Sequence, residues 1–194
     1  FELLKQAVLP EISQQRGRPL RIWSAACSSG QEPYSISIAI QEYLQSKPGS
    51  LPKGVQIVAT DISPSMLKEA EEAVYDKASL ARGISADRRH RFFTPKGDKW
   101  AVRPEVKSSV TIKELNLLNS YSVLGKFDVI FCRNVLIYFS TALKIDILTR
   151  LAAAMHPQGY LFLGASESIV NYSDAFEMVR HPSGVMYRLK KAAR

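Results

Sequence analysis

Apolar positions fall into two alternating rhythms along the chain. Phe1, Leu4, Val8 and Ile12 recur at helical spacing and predict a short amphipathic helix, broken by Gly17 and Pro19. The segments Arg21–Ala26, Val55–Thr60, Phe127–Cys132 and Tyr160–Leu163 are short and largely apolar, as strands covered on both faces are. Gly184–Leu189 predicts a final strand. Between the strands, helices are expected from about Pro33 to Gln45, and after Ser63, an N-cap with Pro64 just inside it. Another should run from Thr141 to Met155, with Ile145, Leu148, Leu151 and Met155 on its inner face. This order predicts an α/β fold, a mostly parallel sheet with helices on both faces.

The stretch from Tyr75 to Ser109 breaks the rhythm. It is charged and carries Gly83, Pro95, Gly97 and Pro104. Arg91–Thr94, Trp100–Val102 and Val110–Ile112 predict strands of a small antiparallel insert, placed at residues 88–113. Charge gathers there too. The whole chain is +8, from 26 Lys and Arg against 18 Asp and Glu. Between Arg82 and Lys107, eight basic residues (Arg82, Arg88, Arg89, Arg91, Lys96, Lys99, Arg103, Lys107) face three acids (Asp87, Asp98, Glu105), so 8 − 3 = +5 lies there. Such a run is either solvated surface or a landing site for nucleic acid, anionic lipid or an acidic protein.

At 194 residues and 46% apolar content, the chain predicts one domain able to bury a core without disulfides or metals. Its longest apolar run, Val135–Phe139, is five residues, so a membrane-spanning helix and direct membrane insertion are not expected. No secretory leader is legible. Cys27 and Cys132 are too far apart for a metal or CxxC motif, which excludes a disulfide scaffold and fits a reducing cytoplasm. His90, His156 and His181 show no arrangement of a metal site or catalytic base. An opening Phe1 in place of Met marks the chain as part of something longer.

In an open α/β sheet, ligands bind beyond the carboxyl ends of the strands. Two such ends draw attention. The turn Cys27-Ser28-Ser29-Gly30 is built of small residues that admit a ligand to the backbone, just before a helix N-terminus. A purely structural tight turn has the same composition. The second is Asp61, about thirty residues further on, a carboxylate suited to ribose hydroxyls and equally at home in a turn. G-x-G-x-x-G is absent, which argues against a nicotinamide cofactor. Turn and acid together point to a nucleoside cofactor without a pyrophosphate, S-adenosylmethionine above all.

Ser24-Ala25-Ala26-Cys27-Ser28-Ser29-Gly30-Gln31-Glu32-Pro33-Tyr34-Ser35 resembles the cofactor loop of the CheR-type chemotaxis receptor methyltransferases. The likeness continues through Ala59-Thr60-Asp61-Ile62, Asn116-Leu117-Leu118, the block Phe127–Phe139 around Cys132-Arg133-Asn134, and Gly164-Ala165-Ser166-Glu167-Ser168. These blocks, in order, span the chain.

The resemblance implies a Rossmann-like class I methyltransferase fold over residues 1–194, with a small inserted β-subdomain. It implies methyl transfer from S-adenosylmethionine to receptor glutamates, giving methyl esters and S-adenosylhomocysteine in the cytoplasm. Ala26, Glu32, Asp61, Ile62, Asn116, Leu117, Arg133 and Asn134 are then expected at the cofactor. Tyr138 is expected by the reacting methyl, with Arg133 beside it. Arg88, Arg89 and Arg91 are expected to meet acidic helices of methyl-accepting receptors. The short link between Phe93 and Val102 argues against a tether through the receptor's C-terminal peptide. The family's all-helical N-terminal domain is missing from this sequence. Two rival readings stand beside it: a nucleic-acid methyltransferase, which the basic charge suits but no stacking platform supports, and a non-catalytic cofactor-binding or interaction module.

Overall fold

The computed structural model describes residues 1–13, 17–81 and 83–191. Its main sheet contains β1 (Leu20–Ala25), β2 (Val55–Asp61), β6 (Val110–Glu114), β7 (Phe127–Cys132), β8 (Met155–Leu163), β9 (Phe176–His181) and β10 (Gly184–Leu189). The strand order is β6-β2-β1-β7-β8-β10-β9. The first five are mutually parallel, and β10 runs antiparallel to both β8 and β9.

Alternation along the strands divides the core. Ile22, Ile57, Val129, Phe131 and Tyr160 pack with Leu4, Val8, Leu9, Ile36 and Ile40. Trp23, Val58, Ile130, Cys132 and Leu161 pack with Tyr121, Ile147, Leu148 and Leu151. Each large apolar side chain so buried contributes about 1.5–3 kcal/mol. The one acid inside β7, Asp128, is 1% exposed; Arg18 Nη2 donates to it at 2.6 Å and the Arg21 amide at 2.9 Å.

The helices are α1 (Leu9–Ser13), α2 (Gln31–Ser46), α3 (Pro64–Glu72), α4 (Lys77–Ala81), α5 (Ala86–Phe92), α6 (Pro104–Lys107) and α7 (Thr141–Ala153). Ser63 caps α3 with Pro64 in the first turn. The N-terminal helix is not uniform: a π-helical turn, Leu4–Val8, leads into α1. In α7, Ile147 is buried whereas Ile145 is 43% exposed, and Met155 already belongs to β8. The inward stripe therefore passes through Ile147, Leu148 and Leu151.

The basic stretch departs most from expectation. Ser85 Oγ accepts from the Arg88 amide and starts α5, so Arg91 and Phe92 are helical rather than extended. The small antiparallel sheet is β3 (Val74–Tyr75), β5 (Lys99–Val102) and β4 (Phe93–Lys96), in that order. Val110–Ile112 lies outside it, as β6 at the edge of the main sheet, with Ile57 opposite Val110. Half-buried alternation reads alike in both settings, and only the partner strand distinguishes them. Helix α2 joins the two sheets: Ile36 and Ile40 face the main one, Tyr34 and Ile38 the small one.

Candidate active site

All parallel strands end at one edge, and the chain leaves β1 there through a constrained turn. Ala26 and Ser28 hold φ of 58° and 49°, left-handed values that non-glycine residues seldom adopt, and Gly30 has φ 90°. The Cys27 amide donates to Thr60 O at 2.9 Å, which fixes the turn beside β2. Glu32, in the first turn of α2, points back to the sheet. It accepts from the fully buried Ser24 Oγ at 2.8 Å and from Arg133 Nη1 at 3.0 Å.

At the end of β2, Asp61 Oδ2 accepts from the Ser28 amide at 2.8 Å and Oδ1 from the Ser63 amide at 3.0 Å. Its carboxylate thus links two strand-end turns. Ile62 follows and is 59% exposed. Beyond β6, Asn116 Oδ1 accepts from the Leu118 amide at 2.9 Å, a side-chain turn of the kind asparagine favours. Leu117 is buried among core residues, and its carbonyl accepts from Tyr121 Oη. Leu118, by contrast, is exposed.

At the end of β7, Arg133 reaches Glu32 while its guanidinium lies 5.7 Å from the Phe1 ring centre. Asn134 has φ 58°. The following 3₁₀ turn, Leu136–Tyr138, presents Tyr138 with 79% of its surface exposed. Two residues given no role from sequence shape this site. Ser24 is the buried partner of Glu32, and Glu167 accepts from the amides of Asn134, Val135 and Gly164. Glu167 stood inside a recognised block, but nothing in its spacing shows three backbone partners.

Burial pushes the Glu32 carboxyl above its ordinary value, against the opposing bonds from Ser24 and Arg133. Burial likewise pushes Cys27 up to about 12, and it raises Cys132 as well. Both thiols stay protonated at neutral pH and serve as packing groups.

The three arginines expected to meet a partner are largely occupied. Arg88 Nε and Nη2 donate to Glu42 at 2.6 and 2.7 Å, and Nη2 reaches Glu2 at 3.2 Å. Arg89 lies over the Trp100 ring, 4.9 Å from its centre. Arg91 is exposed and bonds Gln45 and Asp87. Arg82 lies outside the described residues. No helix among the described residues is long and apolar enough to cross a membrane.

The fold matches a magnesium protoporphyrin IX methyltransferase from Synechocystis PCC 6803 with bound SAM, at TM-score 0.50 and 16% identity, covering 98% of this chain and 79% of that one. It also matches a TehB-like SAM-dependent methyltransferase from Corynebacterium glutamicum, at TM-score 0.52 and 13% identity, over 94% of this chain and 86% of that one. These likenesses show the fold, that of S-adenosylmethionine-dependent methyltransferases. Within that class the chain belongs to the CheR methyltransferase family, whose SAM-binding domain matches residues 1–185. It is 55% identical over 192 residues to chemotaxis protein methyltransferase 1 of Pseudomonas aeruginosa, covering 98% of this chain and 70% of that protein. To the chemotaxis protein methyltransferase of Vibrio parahaemolyticus it is 51% identical over 191 residues, covering 98% and 69%.

Proposed function

We propose that the protein esterifies glutamate side chains on the cytoplasmic helices of methyl-accepting chemoreceptors, using S-adenosylmethionine and leaving S-adenosylhomocysteine. The observation that carries this reading is the convergence of Asp61, the Glu32–Arg133 pair and exposed Tyr138 at one edge of the sheet. The cofactor supplies an electrophilic methyl group on a cationic sulfur. A glutamate carboxylate, with an ordinary pKa of about 4.3, is already ionised at neutral pH and attacks that carbon unaided. No residue has to remove a proton, so the protein's work is alignment and exclusion of water.

The donor set suits this cofactor. Asp61 accepts one amide on each oxygen and keeps lone pairs for the ribose hydroxyls. Ile62 and Leu118 offer exposed apolar surface to a flat base, beside Asn116 and Leu117. Glu32 offers the carboxylate that a cationic amino group needs, and Ala26 brings backbone close to the methionine end, with Asn134 just past the end of β7. Arg133 is already neutralised by Glu32, so it orients the incoming carboxylate without quenching it as a free cation would. Tyr138 stands where the methyl changes hands.

On the partner side, Arg91 is the most open of the three arginines and meets acidic receptor helices, while Arg88 and Arg89 are half-buried. Strands β4 and β5 are joined through Gly97 and Asp98 alone, which supports docking without a C-terminal peptide tether. Such a substrate places the enzyme in the cytoplasm.

The test is incubation with methyl-labelled S-adenosylmethionine and receptor-bearing membranes. Label on the receptor that mild alkali releases as methanol is the expected result, because esters hydrolyse where methylated amines and amides do not. Alkali-stable label, or transfer to RNA in place of receptor, overturns the reading.

A further inference from the structure

We infer that Glu167 is a positioning residue for methyl transfer, setting the Asn134–Tyr138 segment through its bonds to the Asn134 and Val135 amides; the inference rests on the roles proposed above for Asn134 and Tyr138. Its Oε2 accepts from the Asn134 and Gly164 amides, each at 2.7 Å, and Oε1 accepts from the Val135 amide at 3.0 Å. One side chain from the loop after β8 therefore holds two consecutive amides at the end of β7.

Asn134 needs such a hold. Its φ of 58° is a left-handed conformation that is unfavourable in a non-glycine residue unless its surroundings impose it. A carboxylate that satisfies the amides on both sides of the Asn134 carbonyl imposes it. The next step reaches the site, since the Tyr138 amide donates to Val135 O at 3.2 Å. Gly164 completes the fit: a Cβ there would lie 2.0 Å from Asn134 Oδ1 and 2.8 Å from Glu167 Oε2.

Glutamine is nearly isosteric with glutamate but cannot serve here. Either orientation of its amide sets an NH₂ donor against at least one backbone N–H, and the charge is gone. Glu167→Gln is expected to lower kcat for receptor methylation about tenfold or more, by displacing Tyr138, while KM for receptor changes less than about threefold. Glu167→Asp keeps the charge and is expected to recover part of kcat.

The deciding readout is a double-mutant cycle on kcat with Tyr138→Phe. Positioning through Tyr138 makes the double variant no slower than the slower single one. Additive losses overturn the inference, as does wild-type turnover in Glu167→Gln while Tyr138→Phe is slow. If Glu167→Gln melts below the assay temperature, the same cycle is read with Glu167→Asp. Wild-type turnover in Tyr138→Phe overturns the underlying role of Tyr138, and this inference with it.

Discussion

Arg133 Nη1 donates to Glu32 Oε2 at 3.0 Å, while Ser24 Oγ donates to the other oxygen at 2.8 Å. One carboxylate thereby ties β1, the first turn of α2 and the end of β7 together. It does so at an energetic cost, because burial disfavours its charged form.

That cost gives a pH signature. The folded Glu32 carboxyl lies above its ordinary 4.5, so its stabilising contribution is present below that value and is lost as pH rises through the folded one. Above the folded value the buried carboxylate is ionised, and a cationic amino group relieves its charge. S-adenosylhomocysteine affinity is expected to rise with pH across this window, and Glu32→Gln to bind about tenfold more weakly with a flatter profile. Calorimetry between about pH 5 and 8 checks this. Identical profiles in the two proteins would remove Glu32 from the cofactor site.

Asp61 holds two turns and is proposed to hold the ribose, and the choice of variant separates the two. Asp61→Ala strands the Ser28 and Ser63 amides, so it loosens both turns along with any ribose contact. Asp61→Asn keeps one acceptor oxygen and sets its NH₂ against the other amide, so it loosens one turn and spares the other. It is expected to lower Tm less than Asp61→Ala yet lose about 10–100-fold in cofactor affinity, the worth of a hydrogen bond to a charged group. Unchanged affinity by calorimetry would sink the ribose assignment.

The Arg88–Glu42 pair predicts acid sensitivity. Burial raises the Glu42 carboxyl, but the bonds from Arg88 and Lys5 outweigh it and hold the group at about 2. Its stabilising contribution is present above 4.5 and is lost as pH falls towards about 2. The shift corresponds to about 3 kcal/mol, shared between the two cations. Arg88→Ala is expected to cost about 1–2 kcal/mol at neutral pH, and the gap from wild type should close as the pH falls through that window. Urea titrations at several pH values read it; a constant gap means that Glu42 gains nothing from Arg88. Arg91→Glu breaks no comparable internal pair, so it is the better probe of receptor contact, expected to raise KM with Tm retained.

Local pattern carried the fold as far as burial is local. Strand β7 is buried at all six positions, and its sequence says so directly. The capped start of α3 was equally plain in Ser63-Pro64. Partner choice is not legible, so the sequence puts β6 in the small sheet and shows no sign of β9. The one misplaced member of the α7 stripe, Ile145 for Ile147, has the same origin, since the stripe is decided by what lies opposite. In the site, residue types were readable but bonds were not. Glu32 and Arg133 stand 101 residues apart, and only the parallel pairing of β1 with β7 brings them together.

The last prediction concerns the turn that brings Glu32 into place. A Cβ on Gly30 would sit 2.8 Å from Ala70 Cβ and 3.1 Å from Tyr75 Oη, and φ 90° is itself unfavourable for alanine. Tyr75 Oη donates to Ser29 O at 2.8 Å and Tyr34 Oη to Ala70 O at 2.7 Å, so these neighbours are already fixed and have little room to yield. Overpacking and backbone strain each cost about 1–3 kcal/mol. Gly30→Ala is therefore expected to lower Tm clearly and to weaken cofactor binding by tilting the start of α2. Adding Ala70→Gly removes the nearest clash but leaves φ unchanged, so the double variant should recover only part of the loss. Full recovery would mean that the crowding against α3, and not the left-handed backbone, makes glycine necessary at this turn.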